Sequence, residues 1–233
     1  MIDFGKAVET DKERGAAMGE QSTIGCAIEK HYAKAIQVLE KLYESVDVET
    51  LDRAAKAITM ANRVLFYPDK GSAGVALTEV NEFLAFGKNA CFLLDDYQQK
   101  QAIRFCGAND TVLGVCRDGS DRNVVDALRM ARSNGTSTIL ISPPHNSIAS
   151  HYADVVLVIP AHNPQSLFSS AEISLCQTMM IQTLLFQSLH TELTEGSPAK
   201  NSRESISSLC AITHKNPIST SFDYHYHRGG TEE

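Results

Sequence analysis

Two short polar segments carry the residues best suited to holding a ligand. One is Pro68-Asp69-Lys70-Gly71-Ser72-Ala73-Gly74 and the other is Arg117-Asp118-Gly119-Ser120-Asp121-Arg122-Asn123. Each follows an apolar run and opens a helical pattern, which places small residues, hydroxyls and charges at a helix N-terminus. The free N–H groups and positive dipole end of such a terminus attract anions. Ordinary helix capping uses the same residue types, and Ser72 and Asp121 are both good caps. The candidate ligand contacts are therefore Lys70, Gly71, Ser72, Arg117, Asp118, Gly119, Ser120 and Asp121, with Lys70 as the charge partner for a phosphate.

Acid–base chemistry has fewer candidates. Glu79 and Glu82 lie on the helical segment after the first loop, and Glu172 opens a long apolar helix. Each could act as a base near neutral pH or serve as an ordinary helix charge. His145, His151 and His162 lie near later loops, with surface or packing roles as the alternative. Cys116 ends an apolar run and reads as a reactive or a buried inert thiol. His225 and His227 could hold a transition metal weakly or belong to a mobile tail. No spacing among these groups fixes an acid–base couple, and no H-E-x-x-H, G-x-S-x-G or Walker pattern is present. No resident metal or cofactor is expected.

Periodicity names the elements that must position these groups. Residues 1–27 are polar and small-rich and are expected to form a flexible arm. In 28–46, Ile28, Tyr32, Ala35, Ile36, Leu39, Leu42 and Tyr43 recur at helical spacing; Leu51, Ala54, Ala55, Ile58 and Met60 do so in a second helix. The runs RVLFYP (63–68), NACFLL (89–94), TVLGVC (111–116), TSTILIS (136–142) and DVVLVIP (154–160) then alternate with helical segments. Near-continuous apolar strands are what a parallel sheet covered on both faces requires. The expected fold is α/β: a three-layer, doubly wound, five-stranded parallel sheet of flavodoxin-like type, spanning 28–190 with its flanking helices. The segment EISLCQTMMIQTLLFQSL predicts a helix apolar on most faces, covered by its own chain or by a second subunit. A homodimer or homotetramer is expected. Residues 191–233 form a polar tail with a possible short helix at SRESISSLCAI.

Composition sets the outer bounds. The chain has 233 residues, 43% hydrophobic and 21% charged, which is globular composition. No apolar run approaches the roughly 18 residues of a spanning helix. A net charge of −7 argues against a chain-wide basic surface for nucleic acid. Six cysteines without a C-x-x-C pair suit reduced, buried thiols. With no apolar signal segment at the N-terminus, a cytoplasmic location is expected.

Several stretches together resemble the sugar isomerase (SIS) domain, as found in the sugar-sensing half of RpiR-type transcription regulators. They are A-N-R-V-L-F-Y, F-G-K-N-A-C-F-L-L-D-D, N-D-T-V-L-G-V, A-L-R-M-A-R-S-N-G-T-S-T-I-L-I-S and, most specifically, N-S-I-A-S-H-Y-A-D-V-V-L-V-I-P. The resemblance runs from about residue 28 to about 190. It implies a SIS fold that binds a phosphosugar or other carbohydrate derivative as a sensor; some SIS proteins are instead phosphosugar isomerases. The family's G-x-G-x-S loop falls on Pro68, Lys70 and Ser72, so only the serine is kept. Its S-x-S-G-x-T loop falls on Cys116, Asp118, Gly119 and Asp121, so only the glycine is kept. Two aspartates thus stand where hydroxyls would hold a sugar phosphate.

A like-charge contact at 4 Å and an effective dielectric near 20 costs about 4 kcal/mol, against about 0.3–2 kcal/mol gained from a helix N-terminus. Lys70, Arg117 and Arg122 could offset that cost by turning inward. Three outcomes stay open: a phosphosugar held by lysine and arginine, an uncharged or cationic ligand accepted by the aspartates, or an empty site in an interaction protein. An isomerase would use Glu79 or Glu172 as its base. The residues before the first helix are too few for the helix-turn-helix domain of RpiR-type regulators, so direct DNA binding by this chain is not expected.

Overall fold

The computed structural model describes residues 23–144, 147–161 and 169–195. Two helices lead the chain, α1 (Thr23–Ser45) and α2 (Val48–Met60). Asp47 separates them and caps α2, its carboxylate accepting from the Glu49 and Thr50 amides. The apolar spacing of α2 buries Leu51, Ala54, Ala55 and Ile58. The α/β alternation follows: β1 (Arg63–Pro68), a 3-10 turn (Lys70–Ser72), α3 (Ala73–Ala85), β2 (Ala90–Cys91), α4 (Asp96–Arg104), β3 (Asp110–Val115), α5 (Arg122–Ser133) and β4 (Ser137–Ser142). A second 3-10 turn (Ala149–Tyr152), β5 (Val155–Val158) and α6 (Ser169–Glu195) complete it.

All the strand pairings are parallel, and the order is β2-β1-β3-β4-β5. This is the expected doubly wound architecture. Helices α1, α2, α3 and α6 share one hydrophobic core with Val64, Phe66, Leu113, Val115, Ile139 and Ile141. The α4–α5 face holds a smaller core around Leu65, Val112, Leu140, Val124 and Leu128. Strands β1, β3 and β4 each bury every residue after the first, which accounts for their unbroken apolar sequence.

Three boundaries differ from expectation. Helix α1 begins at Thr23, inside the segment read as an arm. Helix α6 is 27 residues long and runs past residue 190 to Glu195, carried by the same pattern of buried residues. Strand β2 keeps only Ala90–Cys91 of the run 89–94, because it pairs with β1 alone and only at Val64 and Leu65. His145, His162, Cys210, His225 and His227, the SRESISSLCAI segment, and the rest of the arm and tail lie outside the described residues.

Candidate functional site

Strand order reverses between β1 and β3, which are direct neighbours with Pro68 opposite Val115. In open α/β sheets, ligands bind beyond the carboxyl ends of the strands at such a switch point. Both sequence-identified loops emerge there. The fold therefore brings Lys70, Gly71 and Ser72 into one neighbourhood with Arg117, Asp118, Gly119, Ser120 and Asp121.

Asp69, which the sequence reading passed over, joins the two loops. It is 8% exposed. One carboxylate oxygen accepts from the Ser72 amide at 2.8 Å, and the other accepts from the Arg117 amide at 2.6 Å. The first bond caps the 3-10 turn, so the carboxylate performs the capping that Ser72 was expected to supply. The sequence signal was an aspartate three residues before a buried serine at the start of a helix. The neighbouring carboxylates behave alike. Asp118 accepts from the Ser120 amide at 2.9 Å. Asp121 caps α5 through the Asn123 and Val124 amides at 2.9 and 3.1 Å.

Arg117 lies across the junction. A Cβ placed on Gly71 would stand 2.4 Å from Arg117 Cδ, so a side chain there would make the arginine arm shift from this path. Its guanidinium donates to Ser170 Oγ at 2.6 Å, in the first turn of α6. Gly119 has φ +70°, and a Cβ there would meet Ser147 at 2.5 Å, so the β3 loop packs tightly on the segment after β4. Among the described residues, neither Lys70 nor Arg117 pairs with Asp118 or Asp121.

Beside this junction lies a cleft lined by Tyr67, Lys70, Asp69, Asp96, Gln99 and Asp121. Carboxylates outnumber the single lysine in that wall. Burial and then the charges of Asp96, Asp121 and Asp126 hold the Tyr67 phenol up at about 12.

Ser72 itself is fully buried. Its hydroxyl accepts from Gln177 Nε2 at 2.9 Å, and the same nitrogen donates to the Cys116 carbonyl at 3.1 Å. Gln177 on α6 thus ties both loops to the long helix; its only signal in the sequence was a polar residue inside an apolar helical run. The Cys116 thiol is buried, and desolvation pushes its pKa far up, which removes it as a nucleophile.

The carboxylate candidates separate. Glu82 is exposed, whereas Glu79 is fully buried on α3 rather than solvated. Gln182 Nε2 donates to Glu79 Oε1 at 3.3 Å, and burial raises the pKa of this carboxyl to about 7. It faces the α3–α6 interface and is not part of the cleft wall. Glu172 is buried in the first turn of α6, close enough to Cys176 for its charge to help raise that thiol. His151 is exposed, and its carbonyl accepts from Arg132.

Residues 57–187, more than half of the chain, match the family described as the SIS domain. The chain is 24% identical over 132 residues to the helix-turn-helix transcriptional regulator HexR of Escherichia coli, covering 57% of this chain and 46% of that one. It is 28% identical over 158 residues to an uncharacterised regulator of the same type from Bacillus subtilis, covering 67% of this chain and 56% of that one. The chain thus spans about half the length of the curated relatives it matches. Among solved structures, Vibrio vulnificus NanR complexed with ManNAc-6P superposes with TM-score 0.67 at 16% identity, over 82% of this chain and 70% of that one. The sugar isomerase domain of an RpiR transcription factor from Sphaerobacter thermophilus gives 0.63 at 19%, over 78% and 96%. A phosphoheptose isomerase from Francisella tularensis gives 0.60 at 16%, over 72% and 98%. No described helix is long and apolar enough to cross a membrane.

Proposed function

The chain belongs to the SIS domain family, and from that premise we propose that it binds a phosphosugar or other carbohydrate derivative and acts as a sensor or regulatory module. The observation that carries this reading is the meeting of the β1 and β3 loops at the switch point, beside a cleft bounded by Lys70, Asp69 and Asp121. HexR and the RpiR factor are regulators, and NanR is a SIS-fold relative seen with a phosphosugar. A thermal-shift panel of phosphosugars, free sugars, amino sugars and inorganic phosphate tests it on the full chain. A ligand that binds only the folded state raises Tm by mass action. At least one carbohydrate is expected to do so, and a flat panel would sink the proposal.

The isomerase alternative needs a carboxylate at the bound sugar. Glu79 has the raised pKa but is directed at Gln182 between α3 and α6, so the geometry favours sensing over proton transfer. An interaction protein with an empty site is supported by one observation, the Arg117 arm closing over Gly71 to Ser170. The flat panel is its signature.

The sensor is proposed to self-associate through its helices as a homodimer or homotetramer. Leu77 and Leu84 are exposed one heptad apart on α3, as are Met179, Phe186 and Leu193 on the adjacent α6. Sedimentation is expected to give a dimer or tetramer, and Leu84→Asp with Phe186→Asp to give a monomer. A monomeric parent protein would overturn this part of the proposal.

A further inference from the structure

We infer that Asp69, with Asp118 and Asp121, keeps phosphorylated ligands out of the switch-point site, so that the carbohydrate it takes is uncharged or cationic. This rests on the carbohydrate-binding reading above and narrows it. The backbone N–H groups of Ser72, Arg117 and Ser120 on the two loops, and of Asn123 and Val124 in the first turn of α5, each already donate to one of these three carboxylates. An anion using these five amides would have to displace a carboxylate that the chain holds at far higher effective concentration. Asp69 is the hardest to displace, because it is buried and uses both oxygens, one on each loop.

The side chains do not reverse this balance. The Arg117 guanidinium is engaged by Ser170 Oγ and packed along Gly71. Lys70 is the single cation in the cleft wall, which it shares with Asp69, Asp96 and Asp121. The raised Tyr67 phenol reports, after burial, the field of Asp96, Asp121 and Asp126 at the same wall. A hydroxyl or ammonium group of a neutral or amino sugar can donate to carboxylate lone pairs left over from capping, whereas a phosphate dianion only accepts.

The test is calorimetric titration of the full chain with inorganic phosphate, glucose 6-phosphate, glucose and glucosamine, run beside the thermal-shift panel. Two variants are compared with the parent. Asp118→Ser/Asp121→Thr keeps a hydroxyl acceptor at each cap and guards against a folding failure at the buried position. Adding Asp69→Asn removes the third charge. Expected is no phosphate or glucose 6-phosphate binding by the parent, a gain in the double variant, and a gain of at least about tenfold over the parent in the triple variant. Glucose 6-phosphate binding to the parent as tight as to the folded variants would overturn the inference and leave the carbohydrate reading standing. Folded variants that gain no anion binding would overturn it as well. A parent protein that binds no sugar of the panel, charged or neutral, would overturn the carbohydrate reading and this inference together.

Discussion

The two faces of the sheet are built on different rules. The α4–α5 face is an apolar layer of Leu65, Ile103, Val112, Leu128 and Leu140, and its buried polar side chains Gln99 and Thr138 bond the Leu93 and Tyr152 carbonyls. The opposite face has the larger apolar core, but a polar seam runs through it where α3 meets α6. Ser72 bonds Gln177, Glu79 bonds Gln182, and past the end of α3 a buried Lys88 pairs with Glu192. Glu79 Oε2, Gln177 Oε1 and Glu192 Oε2 have no hydrogen-bond partner among the described residues. Each rung pairs in one register of α6 along α3 only. Both apolar cores therefore supply stability, and we infer that the seam gives up some of it to fix where the long helix lies over the site.

Mutations test this contrast. The largest effect is expected at Lys88→Met, which leaves Glu192 buried and unpaired and costs about 3–5 kcal/mol in chemical denaturation; adding Glu192→Leu should recover most of it. A cost below about 1 kcal/mol would mean the pair is solvated and the two faces alike. On the apolar face, Leu128→Ala should cost about 3 kcal/mol, with no dependence on pH.

Next comes Glu79. Its folded pKa of about 7 lies above the ordinary 4.5, so the stability it contributes is full below about 4.5 and is lost as pH rises toward about 7. Glu79→Gln should thus stabilise by about 2 kcal/mol at pH 8 and change little near pH 4.5, read from denaturation midpoints at the two values. Equal effects at both would show that the carboxyl is not desolvated. The smallest effect, about 1 kcal/mol, is expected for Ser72→Ala, which removes one acceptor of Gln177 Nε2 while the Cys116 carbonyl keeps the other.

The apolar face was the more legible one. β1 spans the same residues as its apolar run, and β3 and β4 fall within a residue of theirs, because burial on both faces writes a near-continuous signal into the chain. The loops at the switch point were legible in place but not in wiring. Asp69 is one polar residue among several until the Arg117 amide, which comes to it from the next strand, takes its second oxygen. Gly71 reads as a flexible turn residue, and nothing in the local sequence says that the Arg117 arm packs along it. Glu79 follows helical spacing like any exposed glutamate; only the arrival of α6 decides that it is buried. Local periodicity cannot report partners 48 or 103 positions away.

The brevity of β2 bears on how copies of this protein can meet. A long bare sheet edge is a template for strand addition and aggregation. Here one edge is the two-residue strand Ala90–Cys91. The other is β5, with the α1–α2 turn at Ser45–Asp47 beside Val156–Val158 and Arg53 holding the Asp154 carbonyl at its start. Among the described residues, neither edge offers a long ladder, since β2 has two residues and β5 four. The proposed self-association through the helical flanks needs no such ladder.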